Sequence, residues 1–272
     1  IADKVCIQQY DIDIEIISNL IHLIQIWSDG TNDQISILFN QAFVSYLFIV
    51  SRSFFLKDSA IVSFATDSIK NLLLKKYFPN EAIPEIMTEL LLLLDQFLTK
   101  THALNNVFLE SIQNVFLCFQ AILKQKKIKK LPQIDGLIVM TKKYIDFIQE
   151  TFYDKYSIFQ FKSKSPKANW GPKTGKKIIP DDNEEEDDDS VDYDVMCSCL
   201  CSIIQCMNDI VLMNNETVNY FFDINFMKNN LIKYLKTSYL ELKKKALSTL
   251  ELSLTIVGSG NYTALEYVDQ QI

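Results

Sequence analysis

Apolar residues recur along this chain with the spacing of amphipathic helices. Between Ile12 and Trp27, the series Ile14, Ile17, Ile21 and Ile24 has gaps of three or four residues, and Ser59–Lys75 and Asn105–Lys130 repeat this period. Residues with that spacing share one face of an α-helix. The same pattern predicts further helices at 32–39, 44–55, 84–98, 137–152, 195–213, 217–223, 226–235 and 240–257. We therefore predict an all-α protein.

Residues 157–194 differ in composition from the helical segments around them. Ser157–Lys177 is rich in lysine, and ten of the fourteen residues at 181–194 are acidic. A run of like charges this dense cannot pack and is usually disordered. We predict one long, charged, disordered loop at 157–194, between helical repeats at 1–156 and 195–272. Without those ten charges, the formal net charge of −7 becomes +3, so the acidic balance belongs to the loop.

A short motif recurs at the start of several predicted helices. Asn32–Ile35 has a counterpart in Asn215–Val218, and a third copy begins at Asn261. The last two copies lie 46 residues apart, within the ~40–47 residues of armadillo and HEAT units. The first two lie 183 residues apart, which fits four units of about 42 residues and an insertion of about 15.

A repeated unit of this size cannot bury its own apolar face, so neighbouring units must stack. We therefore predict a right-handed armadillo/HEAT-like solenoid of about five to six units, interrupted by the charged loop. The third copy of the motif stops at Ile272, and we expect the last unit to be truncated.

Catalytic chemistry has little support in the sequence. Only six glycines and six prolines occur among 272 residues, far below the usual share of roughly 7% and 5%. No Gly-rich nucleotide-binding turn, nucleophile elbow or metalloprotease motif is present. His22 and His102, the only histidines, have no neighbouring nucleophile or carboxylate constellation. We predict that the protein is not an enzyme and has no catalytic residues and no cofactor.

The six cysteines sit among apolar residues. That placement is typical of buried thiols in a reducing compartment and not of a disulfide framework. On a helix, Cys199 points away from the face shared by Cys197 and Cys201, so four tetrahedral ligands would require the helix to break. No metal site is predicted.

The link between repeats carries a family resemblance. Residues 27–35, Trp-Ser-Asp-Gly-Thr-Asn-Asp-Gln-Ile, resemble the link between the third and first helices in the armadillo repeats of importin alpha. Ala246–Glu251 is similar to part of a late repeat of that family. The resemblance implies a nuclear import adaptor that holds a nuclear localisation signal in a concave groove. It also implies importin beta as a partner and a location in cytoplasm and nucleus.

The resemblance also implies which residues would hold a basic signal peptide. In that family, an Asn on the third helix bonds the peptide backbone, and a Trp four residues earlier packs on a Lys stem. Asn71 and Asn208 match the Asn positions, and Asp29 matches a position that contacts a signal Lys. Asp67 and Ile204 stand where Trp is expected, so the aromatic half of the groove is missing.

A second function remains open: a helical-repeat scaffold subunit of a larger complex, in cytoskeletal or chromatin assembly, that binds partner helices. Asn71 and Asn208 on one concave surface would support the adaptor, whereas an apolar patch would support the subunit. No nucleic-acid binding is predicted, because Arg52 is the only arginine and the net charge is negative. No membrane contact is predicted, because the apolar runs fall short of the ~20 residues that a span needs.

Overall fold

The computed structural model describes residues 14–31, 33, 35, 41–54, 57–76, 78–99, 105–125, 132–153, 191–214, 217–222 and 224–257. Within these ranges the chain is helical and contains no strand. The prediction of an all-α protein is confirmed. The longer helices are α1 (Ile14–Ser28), α2 (Gln41–Phe54), α3 (Ser59–Leu74), α4 (Ile83–Thr99), α5 (Asn106–Leu123), α6 (Gln133–Ile148) and α7 (Tyr193–Met213).

The C-terminal part begins with short helical pieces. These are α8 (Val218–Phe221), α9 (Ile224–Phe226), a π-helical turn at Met227–Leu231 and α10 (Ile232–Leu235), followed by the longer α11 (Leu240–Val257). A 3-10 turn at Asn80–Ala82 precedes α4, and a π-helical turn at Gln149–Tyr153 extends α6.

Polar side chains explain where several helices begin. The Asp58 carboxylate accepts a hydrogen bond from the Ala60 amide at 2.8 Å, and Asn105 Oδ1 accepts one from the Phe108 amide at 2.9 Å. Each satisfies a backbone donor that has no partner inside the first turn. The Asp192 carboxylate accepts from the Asp194 amide in the same way. The last residues of the acidic run therefore belong to the start of α7.

The helices pack in two rows. The first row is α1, α3, α5, α7 and α11, and each of these packs against the next along the chain. The second row is α2, α4 and α6, which pack on α3, α5 and α7 respectively; α4 also contacts α2 and α6. The short α10 packs on α11 in the corresponding way. The chain thus alternates between the rows.

Hydrogen bonds between neighbouring first-row helices have a regular sequence spacing. The bonded pairs Gln25–Asp67, Lys70–Asn114 and Asn208–Thr249 lie 42, 44 and 41 residues apart. Between α5 and α7, the bonded pair Gln113–Ser198 lies 85 residues apart. The larger separation arises because residues 154–190 intervene between α6 and α7.

Four units and an insertion of about 15 residues are predicted between the first two motif copies. The described residues between them contain three helix pairs: α2 with α3, α4 with α5, and α6 with α7. Because these residues do not cover the whole span, the number of units stays a prediction. Residues 154–190 and the third motif copy lie outside the described residues.

Aromatic side chains fill the space between the rows. Phe97, Phe116, Phe119 and Tyr144 are fully buried. The rings of Phe116 and Tyr144 meet edge to face with centroids 5.5 Å apart, and the Tyr144 hydroxyl donates to the Leu94 carbonyl at 2.7 Å. Burying one such side chain contributes about 1.5–3 kcal/mol. These contacts fix α4, α5 and α6 against one another.

By length and composition alone, α5 and α7 could each cross a bilayer, yet 67% of the apolar stretch of each is buried against other helices. Core helices pass the same test, so this is weak support for a membrane span. The absence of membrane contact stays a prediction.

Candidate binding surface

Polar side chains connect the five helices of the first row. We call these residues the polar ladder: Gln25, Asp67, Lys70, Gln113, Asn114, Ser198, Gln205 and Lys245. Gln25 Nε2 donates to Asp67 Oδ2 at 2.9 Å, and Gln113 Nε2 donates to Ser198 Oγ at 3.0 Å. Apart from the buried Asn114, the ladder residues are half-buried. The first row therefore presents donors and acceptors at its surface from α1 to α11.

Asn71 lies on α3 beside this ladder. Its Nδ2 donates to Ser28 Oγ at 3.1 Å and is 3.3 Å from Asp67 Oδ2. The side chain is half-buried, so Asn71 both links α3 to α1 and lies at the surface of the first row.

Asp29 follows α1 and is strongly exposed. Its side chain is 83% accessible, and Oδ1 lies 3.7 Å from Lys75 Nζ. The same ammonium donates to the Ser28 carbonyl at 3.1 Å. An exposed pair of this kind contributes about 0–1 kcal/mol, so the carboxylate can exchange Lys75 for another cation at little cost. Asp29 and Asn71 are thus brought together around Ser28.

Asn208 lies apart from this pair, on α7. Only 5% of the residue is exposed. Its Nδ2 donates to Thr249 Oγ1 at 2.9 Å, which ties α7 to α11. Within the described part of the chain, its buried Oδ1 has no hydrogen-bond partner. An amide in this position reaches a peptide only if the side chain or α11 moves, and its peptide-binding role stays a prediction.

The two positions where Trp was expected have different environments. Ile204 is fully buried in the core. Asp67 accepts hydrogen bonds from Gln25 and Asn71 and forms an ion pair with Lys70. Sequence reasoning noted Asp67 only as a missing Trp and overlooked the rest of the ladder. The available signal was the spacing of about 42–44 residues between polar positions on successive helices.

A cavity of about 270 Å³ opens at the far end of the ladder, between α5, α7 and α11. It is lined by Gln120, Ser198, Cys201, Ser202, Gln205, Tyr239, Glu241 and Lys245. Burial raises the pKa of the Cys201 thiol to about 12, with Lys245 opposing the rise. The thiol is therefore neutral at pH 7. The hydroxyl, amide and ammonium groups of the lining suit a side chain that accepts or donates hydrogen bonds.

Asp209 lies beside this cavity. Its Oδ1 accepts a hydrogen bond from Gln205 Nε2 at 2.7 Å. Burial raises the pKa of its carboxyl above the ordinary 3.8, while Gln205, Lys124 and Lys245 act in the opposite direction. Oδ2 is buried with no hydrogen-bond partner in the described residues. Ionisation of this buried carboxyl therefore costs stability.

The prediction of buried thiols is confirmed for four of the five described cysteines. Cys118, Cys197, Cys199 and Cys206 are buried, Cys201 is half-buried, and all five are free. Burial raises the pKa of Cys197 to about 12 and that of Cys118 above its ordinary value. Thiols this hard to ionise are poor nucleophiles. Among the described residues, no three His, Cys, Asp or Glu side chains form a metal-binding group.

Comparisons with known protein families, curated proteins and solved structures gave no match to this chain. The likeness to importin alpha therefore rests on the link at 27–35 and the late-repeat residues alone.

Proposed function

We propose that the protein is a non-catalytic, protein-binding scaffold built as an armadillo/HEAT-like right-handed solenoid. The observation that carries this proposal is the order of the first row, whose helices follow one another in chain order. Bonded residues lie 85 apart at the contact between α5 and α7, and 40–44 apart at the other three of the four contacts. That spacing matches the roughly 40–47 residues of one such unit. Solenoids of this kind bind partners along the surface of one helix row.

In this proposal the polar ladder holds an extended peptide. Amide side chains such as Gln25 and Asn71 pair with a peptide backbone by exchanging their present partners. The carboxylates of Asp29 and Asp67 favour a basic peptide at the α1 end of the row. The finer form of the proposal is an importin-alpha-like adaptor that carries a nuclear localisation signal and joins importin beta, in cytoplasm and nucleus.

Fluorescence polarisation with a labelled peptide of five consecutive Lys and Arg residues tests the adaptor. Residues 181–189 of the acidic run are first replaced by Gly and Ser, since the run would bind any basic peptide. We expect micromolar binding that Asp29→Asn weakens about threefold to tenfold, roughly 0.6–1.4 kcal/mol. Asp135, an exposed carboxylate on α6, provides the matched control variant Asp135→Asn, which leaves binding unchanged. A protein that fails to bind the peptide at micromolar concentrations is not such an adaptor.

A second candidate function is the helical-repeat subunit of a larger complex, in cytoskeletal or chromatin assembly, that binds partner helices. Two observations favour it: the Asn208 amide is buried, and large apolar side chains are exposed on α1. A buried Asn208 does not share an exposed surface with Asn71, as the adaptor requires. Exposed apolar side chains are the feature that supports the subunit.

A further inference from the structure

A second cavity, of about 310 Å³, opens between α6 and the helical pieces that precede α11. Its walls include residues of both π-helical turns, Gln149–Tyr153 after α6 and Met227–Leu231 before α10. Such turns are rare and frequently occur at functional sites. The described residues that line the cavity include none of the polar ladder, so it is a separate place for a ligand.

Three asparagine side chains converge on this cavity. Asn225, Asn229 and Asn230 all line it. Residues five apart lie on different sides of a regular α-helix, whereas the i→i+5 bonding of a π turn brings residues four and five apart to the same side. The turn at Met227–Leu231 therefore directs all three amides into one space.

Asn230 is the least exposed of the three. Only 4% of the residue is exposed, and among the described residues its side-chain amide has no hydrogen-bond partner. Asn225 and Asn229 are exposed at the mouth of the same cavity. Burying an amide without a partner costs free energy. A ligand that brought both a donor and an acceptor to Asn230 would remove that cost.

Two buried tyrosines fix the walls of the cavity against each other. Tyr153, at the end of the first π turn, and Tyr234, on α10, meet edge to face with ring centroids 5.2 Å apart. The Tyr153 hydroxyl also donates a hydrogen bond to the Lys233 carbonyl at 3.3 Å. The cavity is therefore formed before any ligand binds, as is usual for ligand sites.

The charged side chains of the lining balance one another. Lys142 and Lys233 carry two positive charges, and Asp146 and Glu150 carry two negative charges. The lining therefore favours neither an anion nor a cation. A nucleobase or a sugar ring would lie on an exposed aromatic face, but Phe226, the aromatic residue of this lining, is only 4% exposed. A neutral group that forms hydrogen bonds is the remaining class of ligand.

A side-chain carboxamide complements the buried Asn230 amide. It carries an acceptor and two donors on one group, so two carboxamides can form a pair of hydrogen bonds with each other. A single trans peptide group points its N–H and C=O in opposite directions. Main chain that entered the cavity would also bury further polar groups that need partners. A Gln or Asn side chain brings only its carboxamide and a short apolar stem.

We propose that this cavity takes up the side-chain carboxamide of a Gln or Asn residue in an extended segment of a partner protein. The carboxamide pairs with Asn230, and the flanking main chain passes over Asn225 and Asn229. The volume lies at the lower end of the roughly 300–1,000 Å³ of ligand pockets, which suits one side chain and its adjoining main chain. This inference rests on the proposed protein-binding function and gives it a second site.

The probe is the peptide acetyl-Gly-Gln-Gly-N-methylamide, whose ends carry no further primary carboxamide. Two matched controls replace its Gln by Glu, which has the same shape but a charge, or by Leu, which has a similar size but is apolar. All three peptides share one main chain. Side-chain NMR signals of protein labelled with ¹⁵N-asparagine report binding, and the signal that is missing from Asn230→Leu belongs to Asn230.

We expect the Gln peptide to shift the Asn230 signal with a dissociation constant of about 0.1–1 mM, a range suited to a ligand of this size. The Glu and Leu peptides should bind about fivefold more weakly, because each leaves at least one hydrogen bond to Asn230 unmade.

Variants place the peptide in the cavity. Asn230→Leu should abolish binding of the Gln peptide and leave the urea midpoint unchanged or higher, because an apolar side chain of similar shape leaves no amide without a partner. Asn229→Ala, at an exposed position, should weaken binding about twofold to fivefold and does not depend on how well the Asn230 variant folds. Asn19→Leu changes an exposed Asn on α1 and is the matched control, with binding unchanged.

Several results would overturn the inference. These are no binding of the Gln peptide, equal binding of all three peptides, or binding that Asn230→Leu leaves intact. A shift of the Asn230 signal by maltose but by no peptide would make the cavity a carbohydrate site. Because these peptides carry no Lys or Arg, their failure is distinguishable from failure of the polar ladder, which the basic peptide tests. Failure of the protein-binding function would require that neither surface binds a peptide.

Discussion

Asn208 lies beneath the surface at which a peptide-binding amide would act, and its Nδ2 bonds Thr249 on the next helix. We expect Asn208→Ala to lower the free energy of unfolding by about 1–3 kcal/mol, because it leaves a buried hydroxyl without its donor. Asn71→Ala, at a half-buried position, should cost about 0.5–1.5 kcal/mol, the net value of an ordinary hydrogen bond. Urea denaturation measures both. An Asn208→Ala variant of unchanged stability that no longer binds the basic peptide would contradict this structural role of Asn208. It would support a role for Asn208 in a peptide-binding groove.

Asp209 makes stability depend on pH. Because burial raises its pKa in the folded protein, the folded state holds this proton to higher pH than the unfolded chain does. Its contribution is therefore fully present below the unfolded value of about 3.9 and is lost as pH rises through the folded pKa. We expect Asp209→Asn to gain stability relative to the parent protein as pH rises from 4 to 8. Urea denaturation at several pH values tests this, and a difference that stays constant or falls with pH would refute it.

At single positions, the sequence predicted which side chains are buried better than it predicted their hydrogen-bond partners. Apolar surroundings indicated that the cysteines were buried, because burial follows from local hydrophobicity. The hydrogen bond from Asn208 to Thr249 joins residues 41 positions apart on different helices. Whether an Asn faces solvent or a neighbouring helix depends on that packing, which a periodic pattern does not specify.

The individual helices could be located from the sequence to within a few residues. Ser59–Leu74 and Leu240–Val257 match predicted ranges closely, since apolar period and capping residues are both local signals. By contrast, α5 ends at Leu123, although its pattern continued to Lys130. Lys124 and Gln125 are no longer helical, and residues 126–131 lie outside the described residues.

The charged segment between α6 and α7 should be dispensable for the helix packing. α7 is held against α5 by Gln113–Ser198 and by Gln120 Nε2, which donates to the Ser202 carbonyl at 2.8 Å. We expect replacement of residues 157–189 by a 12-residue Gly/Ser linker to preserve helix content, with unfolding free energy changed by less than about 1 kcal/mol, since halving a loop gains only ~0.6 kcal/mol. Circular dichroism and thermal unfolding measure this.

A 24-residue Gly/Ser linker serves as the matched control for that replacement. Loss of helix content with both linkers would show that the charged segment is part of the folded core. Loss with the shorter linker alone would show only that it cannot span the gap.

At the scale of the whole molecule, the sequence predicted a repeating unit and its approximate length, and the solenoid itself stays a proposal. The motif copies gave a unit of about the right size, and first-row bonds at 40–44 residues agree with it. The number of units depends on the length of the insertion, and it stays a prediction because residues 154–190 lie outside the described residues. The polar ladder is a property of neighbouring helices, so it was not visible in the pattern of one helix.

The central claim is that the first-row helices lie side by side in chain order, as in a solenoid, and do not close into a bundle. Pulsed electron–electron double resonance tests it most directly, with spin labels at the exposed positions Asn19, Glu110 and Lys244. The labels are attached to cysteines introduced at these positions. Cys6→Ser removes the cysteine outside the described residues, and Cys201→Ser removes the half-buried one, so that neither takes up label. With packed helices 8–10 Å apart, we expect the α1–α11 distance to be about twice the α1–α5 distance. An α1–α11 distance equal to or shorter than the α1–α5 distance would contradict the solenoid.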